Sequence, residues 1–96
     1  MPTVFFPAII ERGPEGFGVF FPDLPGCVSA GATMQEAALG AEEALSGHLA
    51  VSAEYGDKIV DPTPLDTLDA SYDVDEAARI LVRGELPGKA GMSRSR

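Results

Sequence analysis

Residues 16–49 read GFGVFFPDLPGCVSAGATMQEAALGAEEALSGHL, and this stretch decides the fold. The aromatic and β-branched run Phe17–Phe21 predicts a strand, and Cys27–Ala30 predicts a second, shorter strand. Between them, PDLPG contains two prolines that fix φ and a glycine that tolerates positive φ, so a rigid corner is expected. Together with the helix that follows, these elements predict a compact folding nucleus.

A helix is predicted over Met34–Ala53. Thr33 and Glu36 have the spacing of a capping box, in which the hydroxyl and the carboxylate each accept a backbone N–H. Apolar residues then recur at close to the helical period, at Met34, Ala38, Ala41, Leu45 and Leu49. Gly40 and Gly47 lie inside this helix, where each costs roughly 1 kcal/mol relative to alanine. Close packing of the helix on a sheet is the expected reason for both.

Two further strands are predicted outside this stretch. Thr3–Glu11 is rich in β-formers and pairs with Phe17–Phe21 through a Gly/Pro turn. Both faces of this first strand are apolar, which indicates a strand that is covered on both sides or used in association. Arg79–Arg83 predicts the last strand, and the helical crossover before it favours a parallel orientation beside the first strand. The expected fold is a small α+β domain of order β-β-β-α-β, with the helix on one face of the sheet.

Length and composition narrow the class of protein. The 96 residues suffice for one domain with one core. Hydrophobic residues make up 45% and charged residues 23%, which is typical of a folded chain and not of a disordered one. The single Cys27 excludes an internal disulfide, and no apolar run reaches the ~20 residues that cross a bilayer. We therefore expect a soluble cytoplasmic protein with no membrane partner.

Charge is distributed unevenly along the chain. Residues 1–76 carry fourteen of the fifteen acidic residues and two basic ones, a net charge of −12, whereas residues 77–96 carry a net +4. An acidic body attracts basic partners and repels nucleic acid. Ordinary solubility is an equally open explanation of the acidity. Residues 1–86 are expected to form the domain, and 87–96 a flexible basic tail or linker.

The residues predict no catalytic, cofactor or metal site. His48 has no second His or Cys at metal-ligand spacing, so a structural role is favoured. A nucleophilic pair of Cys27 and His48 would need an orienting third group that the sequence does not indicate. A metal site would require acidic residues from different elements to converge on one metal ion. However, Glu42 and Glu43 are neighbours on a helix and point roughly 100° apart. A binding protein is therefore expected, and not an enzyme.

Three segments resemble the HicB family, which comprises antitoxins of bacterial and archaeal HicA–HicB toxin–antitoxin pairs. They are PAIIE at 7–11, GFGVFFPDLPGCVSAGAT at 16–33 and MQEAALGAEEAL at 34–45. The resemblance covers residues 4–53 and, more weakly, RILVRGEL at 79–86. It implies a reduced RNase H-like fold with strand order 3-2-1-4 that lacks the metal-binding acids of the nuclease. It also implies binding to a small basic toxin of double-stranded-RNA-binding fold, whose RNA-cleaving histidine is thereby blocked.

The resemblance also sets expectations for sites and partners. The candidate toxin-facing residues lie on the corner and along the helix, and they are Asp23, Leu24, Glu36, Glu42 and Glu43. Family members usually continue into a DNA-binding domain, so operator DNA would be a partner only if such a domain follows Arg96. Homo-oligomers, either dimers or tetramers, are expected because exposed strand edges pair readily. A solitary oligomeric regulatory domain without a toxin and a residual metal-dependent nuclease are the alternatives.

Overall fold

The computed structural model describes residues 2–69 and 72–87. Four antiparallel strands form one sheet in the order β3-β2-β1-β4, and one helix packs on one face of it. The elements are β1 (Thr3–Gly13), β2 (Gly16–Phe20), β3 (Val28–Gly31), α1 (Met34–Glu54), a 3-10 turn (Leu65–Thr67) and β4 (Glu76–Glu85). The predicted α+β class and strand order are confirmed. The predicted tail lies outside the described residues from residue 88 onward.

Strand β1 is central and is buried on both of its faces. Its residues from Phe6 to Ile10 are all buried. The even-numbered side chains of this run join the core beneath α1, whereas Pro7 and Ile9 face the opposite side of the sheet. Of the two alternatives that the sequence left open, cover on both sides and use in association, the structure shows cover on both sides for this run.

Pro7 occupies a position in β1 where no ladder hydrogen bond is lost. The Leu86 N–H donates to the Pro2 carbonyl at 2.9 Å, so even-numbered residues of β1 present their backbone groups to β4. The imide nitrogen of Pro7 therefore points to the other side of β1. On that side the pairing with β2 begins only at Ile9 and Phe20, beyond the proline.

Helix α1 begins with the predicted capping box. The Glu36 N–H donates to the Thr33 hydroxyl at 3.1 Å, and the Ala32 N–H donates to the Glu36 carboxylate at 3.0 Å. Met34 is exposed and Ala38 is half-buried, so the buried stripe differs at its start from the predicted one. The stripe consists of Ala37, Ala41, Leu45 and Leu49.

The second face of the sheet is covered by the segment between α1 and β4, called the strap here (residues 57–69 and 72–75). Phe20 lies on this face because it pairs with Ile9. The Tyr72 ring meets the Phe20 ring edge-on, with centroids 5.7 Å apart and planes at 79°. Leu68 is buried within the strap. Aromatic and aliphatic side chains of the strap thus complete the burial of β1.

Polar contacts hold the strap to the sheet. Arg79 donates from Nε and Nη2 to both carboxylate oxygens of Glu76, at 2.8 and 2.9 Å. It also donates from Nη1 to the Asp69 carbonyl in the strap, at 3.0 Å. The Arg79 hydrogen bonds lower the pKa of the Glu76 carboxyl, and the pKa of Arg79 is raised in turn. At the end of the strap, the Arg12 N–H donates to the Asp75 carbonyl at 2.8 Å.

Strand β4 runs antiparallel to β1, so the predicted parallel orientation is wrong. The register pairs Thr3 with Glu85, which places the end of β4 beside the start of β1. After β3, α1 carries the chain along one face, and the strap returns along the other face to Asp75 beside Arg12. Because the chain travels the length of the sheet twice before β4 begins, β4 starts at the end where β1 finishes.

Glycines mark two close contacts and one open position. A Cβ at Gly40 would lie 2.7 Å from the Ser29 hydroxyl oxygen, so the expected close packing is confirmed there. A Cβ at Gly47 would meet nothing within 4 Å, so the same expectation is wrong for this residue. A Cβ at Gly31 would lie 2.5 Å from the backbone nitrogen of Ala37. The tightest contact in this group is therefore between β3 and the first turn of α1.

Two glycine substitutions test this packing. Gly47→Ala should raise the free energy of unfolding by about 1 kcal/mol, because alanine is the better helix former and has room. Gly31→Ala should lower it by about 2–3 kcal/mol, because its Cβ would push the helix start away from β3. Urea denaturation followed by circular dichroism measures both values. Equal effects of the two changes would contradict the close approach at Gly31.

The ion pair in β4 predicts a contribution to stability that depends on pH. The folded state lowers the pKa of Glu76, so ionised Glu76 stabilises the fold above its unfolded-state pKa. That contribution is lost as the pH falls through the folded-state pKa. The melting temperature of the native chain should therefore fall more steeply on acidification than that of Glu76→Gln. Parallel curves for the two proteins, measured by thermal melts from neutral to acidic pH, would contradict the role of this pair.

Candidate functional site

The PDLPG corner places Leu24 in the core. The Leu24 N–H donates to the Phe21 carbonyl at 2.9 Å, and the Cys27 N–H donates to the Leu24 carbonyl at 3.0 Å. Gly26 completes the turn with φ of +91°, the left-handed conformation expected for this glycine. The Leu24 side chain is only 6% exposed and packs with the core beneath α1. Among the candidate toxin-facing residues, Leu24 is thus a core residue that shapes the corner from within.

Asp23 uses both carboxylate oxygens to fasten the strap to the corner. Its Oδ2 accepts the Thr63 N–H at 2.8 Å, and its Oδ1 accepts the Thr63 hydroxyl at 2.7 Å. The two residues are 40 positions apart in the chain. Sequence analysis missed Thr63 because a single threonine between two prolines indicates a turn and nothing about a distant partner. Hydrogen bonds to a charged, half-buried carboxylate are among the stronger ones, so this contact anchors the strap.

The three candidate glutamates lie on the exposed part of α1. The Glu36 carboxylate caps the helix through Oε1 and is exposed. Glu42 and Glu43 are also exposed, and both border one open groove of about 530 Å³ between α1 and β4. The groove, called the α1–β4 groove here, is lined by Leu39, Gly40, Glu42, Glu43, Ser46, Arg83 and Glu85. The structure therefore brings Glu42 and Glu43 to a common surface, although they leave the helix in different directions.

The α1–β4 groove has an excess of negative charge. Arg83 pairs with Glu85 at 3.0 Å, so its charge is already balanced within β4. Helix α1 contains no lysine or arginine, and among residues 2–69 and 72–87 neither Glu42 nor Glu43 forms an ion pair. Leu39 is 59% exposed beside them. Two uncompensated carboxylates next to an exposed leucine form a surface that suits a basic partner with an apolar contact.

Cys27, the residue considered as a nucleophile, lies in surroundings that disfavour its thiolate. Cys27 is buried, and its thiol donates to the Ala44 carbonyl at 3.6 Å. Burial raises the pKa of the Cys27 thiol, which disfavours the thiolate that a nucleophile requires. His48 is half-buried on α1. Within the described ranges, no three His, Cys, Asp or Glu side chains are grouped to hold a metal ion, and no helix is long and apolar enough to cross a membrane.

Comparisons with known proteins agree with the resemblance found in the sequence. The family model described as the HicB-like antitoxin of bacterial toxin–antitoxin systems matches residues 6–88. An uncharacterized 14.9 kDa protein from the rep-hol intergenic region of Haemophilus phage HP1 (strain HP1c1) is 38% identical over 63 residues. That alignment covers 66% of this chain and 47% of the phage protein. The chain thus spans about half the length of this curated relative.

Two solved structures are similar in both fold and sequence. The N-terminal domain of Burkholderia pseudomallei antitoxin HicB is 29% identical with a TM-score of 0.69, over 82% of this chain and 95% of that one. A chain of the HicA3 and HicB3 toxin–antitoxin complex is 29% identical with a TM-score of 0.63, over 88% of this chain and 100% of that one. The likeness therefore extends over most of the sheet and helix described above.

The contact between the corner and the strap is testable by removing both acceptors. Asp23→Ala should lower the free energy of unfolding by about 1–3 kcal/mol, because the Thr63 N–H and the Thr63 hydroxyl both lose their acceptor. Glu15→Ala, in the exposed turn after β1, removes the same charge without a lost contact and is the control. Chemical denaturation compares the two variants. Equal stabilities would show that the contact between Asp23 and Thr63 does not stabilise the fold.

Proposed function

We propose that this chain, which belongs to the HicB-like antitoxin family of bacterial toxin–antitoxin systems, is an antitoxin-type binding module. It neutralises a small, basic, RNA-cleaving toxin of the HicA type by covering the active face of that toxin. A similar chain is found in the HicA3 and HicB3 toxin–antitoxin complex, which is a precedent for such a partner. In this proposal the chemistry belongs to the toxin, and the antitoxin acts in the cytoplasm by binding and not as an enzyme.

The exposed acidic part of α1 is the observation that carries the proposal. Glu42 and Glu43 have no ion-pair partner among the described residues, and Leu39 offers an apolar contact beside them. A cationic RNA-binding face would gain charge complementarity there without breaking an internal ion pair. The net charge of −12 over residues 1–76 also attracts a basic toxin over longer distances and would raise its association rate.

The five candidate residues take different parts in this proposal. Glu42 and Glu43 contact the toxin directly, and Glu36 extends the acidic surface toward the start of α1. Asp23 and Leu24 act indirectly, because one is bonded to Thr63 and the other is buried in the core. These two hold the corner in a fixed shape beside the helix.

The proposal also includes self-association and, conditionally, DNA binding. Copies of this chain are proposed to form a dimer or tetramer, since β3 and β4 both lie at free edges of the sheet. Binding to operator DNA is proposed only if a DNA-binding domain follows Arg96, because residues 1–76 carry a net charge of −12 that repels nucleic acid. Neither association is needed for the toxin contact on α1.

Charge reversal on α1 tests the toxin-facing surface. The double variant Glu42→Lys/Glu43→Lys should weaken binding to the toxin by about 10- to 100-fold, because attraction becomes repulsion at a close contact. The probe is the small protein encoded beside this chain, co-expressed with it and captured by pull-down. Titration calorimetry of the purified pair then gives the dissociation constant, and a growth test reports neutralisation.

A matched double variant separates local contact from total charge. Glu15→Lys/Asp66→Lys makes the same change in net charge at exposed positions, in the turn after β1 and in the strap on the face of the sheet opposite α1. It should bind nearly as well as the native chain. Equal losses in both double variants would place the toxin elsewhere. A neighbouring protein that neither binds nor inhibits growth would favour a solitary oligomeric regulatory domain instead.

A further inference from the structure

The α1–β4 groove lies beside the point at which the chain leaves the sheet. Glu85, the last residue of β4, lines the groove, and its N–H donates to the Ser46 hydroxyl at 3.0 Å. Ser46 lines the same groove from α1. Only Leu86 and Pro87 separate Glu85 from residues 88–96, called the basic segment here. The basic segment therefore starts next to the acidic groove.

The composition of the basic segment matches that of the groove. It reads GKAGMSRSR, with three positive charges, no acidic residue and one large apolar residue, Met92. On the groove, Glu42 and Glu43 have no ion-pair partner in the described part of the chain, and Leu39 is exposed beside them. Positive charges around an apolar residue thus meet negative charges around an apolar residue, which is the complementarity that a contact requires.

Other basic residues of the chain are less suited to this surface. Of the four within the described ranges, Arg12, Arg79 and Arg83 already form ion pairs with carboxylates. The fourth, Lys58, follows α1, whose end is more than three helical turns beyond Glu42. The basic segment holds the remaining positive charges, so it is the part of this chain that can best compensate the groove.

The chain is long enough to make this contact. Lys89 lies within about 14 Å of Glu85, because an extended chain spans at most about 3.6 Å per residue. Glu42 is only about 6 Å along α1 from Ser46, since each helical residue rises about 1.5 Å. The Pro-Gly dipeptide at 87–88 is typical of a turn, which would direct the following residues back across the groove.

We infer that the basic segment of this chain binds over its own α1–β4 groove and occupies it in the absence of toxin. Its positive charges face the carboxylates of Glu42 and Glu43, and Met92 contacts Leu39. A short tether gives such a segment an effective concentration of roughly millimolar, so a weak contact is enough to keep the groove occupied.

Occupation of the groove gives the surface selectivity. A basic partner has the same sign of charge as the segment, so it must displace the segment in order to bind there. Basic proteins that bind the groove more weakly than the segment does are therefore excluded. The contact itself needs no toxin, and only the competition with a toxin rests on the proposed function.

Paramagnetic broadening of amide signals in the full 96-residue chain tests the inference. A nitroxide is attached to Ser93→Cys, since Cys27 is buried and therefore protected from the reagent. The amides of Glu43 and Ser46 should be broadened. The amide of Glu15 should not be, because this residue lies in the turn after β1, at the end of that strand opposite to the pairing of Thr3 with Glu85.

Neutral variants separate binding from simple proximity. A segment that is tethered beside the groove would broaden nearby amides even without a contact. Glu42→Gln/Glu43→Gln should lose most of the broadening at Ser46, because the carboxylates that hold the segment are gone. Glu15→Gln/Asp66→Gln removes the same charge at exposed positions outside the groove and should keep the broadening. Equal broadening in the native chain and in both variants would overturn the inference.

Mixed samples identify which copy supplies the segment. A nitroxide-labelled chain is mixed with an isotope-enriched chain that carries no nitroxide, so that only the second chain is observed. Its Glu43 and Ser46 amides should not be broadened, because each groove is occupied by its own segment. Broadening in the mixture as strong as that within one labelled chain would assign the groove to the segment of another copy and would overturn the inference.

Addition of the co-expressed neighbouring protein separates this inference from the proposed function. Binding of that protein should abolish the nitroxide broadening at Ser46, because the toxin displaces the segment. A neighbouring protein that does not bind, or that binds while the broadening persists, would leave the segment contact in place and overturn the proposed toxin surface alone. Toxin binding to a chain whose broadening is the same in all variants would overturn the segment contact alone.

Discussion

Burial of β1 on both faces is the constraint on which the rest of the structure depends. Five consecutive residues of this strand, Phe6–Ile10, are removed from solvent, so the sheet needs an apolar cover on each side. Helix α1 supplies one cover through a regular stripe of alanine and leucine. The strap supplies the other with little regular structure of its own. Because the only regular element in the described part of the strap is a three-residue 3-10 turn, the strap has few internal backbone bonds, and its position depends on side-chain contacts with the sheet.

Two side-chain contacts hold this second cover in place. Asp23 bonds to Thr63 in the first half of the strap, and Arg79 bonds to Asp69 in the second half. Each bond alone contributes on the order of 1–3 kcal/mol, far less than the apolar burial that it secures. Their importance lies in placement, because they hold Leu68 and Tyr72 over a strand that would otherwise be exposed on one face. The direction of β4 follows from the same path, since the strap returns the chain to the end of the sheet from which α1 departed.

Features that depend on neighbouring residues could be read from the sequence. The capping box at Thr33 and Glu36, the positive φ of Gly26 and the position of α1 each follow from side chains a few positions apart. The parallel orientation expected for β4 failed because the crossover rule describes a helix that returns the chain directly to the sheet. Here a second crossing, made by the strap, lies between the helix and the strand. No local pattern in the strap shows which face of the sheet it covers.

The candidate toxin-facing residues also differ in whether neighbouring residues or tertiary contacts determine their positions. Glu42 and Glu43 could be assigned to an exposed acidic surface because helix phase alone sets their exposure. Asp23 and Leu24 occupy adjacent positions in one corner, yet the first bonds to a residue 40 positions away and the second enters the core. Their roles depend on tertiary contacts that no spacing encodes. The charges on β4 differ from those on α1, because Arg79 pairs with Glu76 and Arg83 with Glu85, whereas Glu42 and Glu43 have no ion-pair partner among the described residues. Of these two charged surfaces, α1 is therefore the one at which the proposed basic toxin would gain charge complementarity without breaking an internal ion pair.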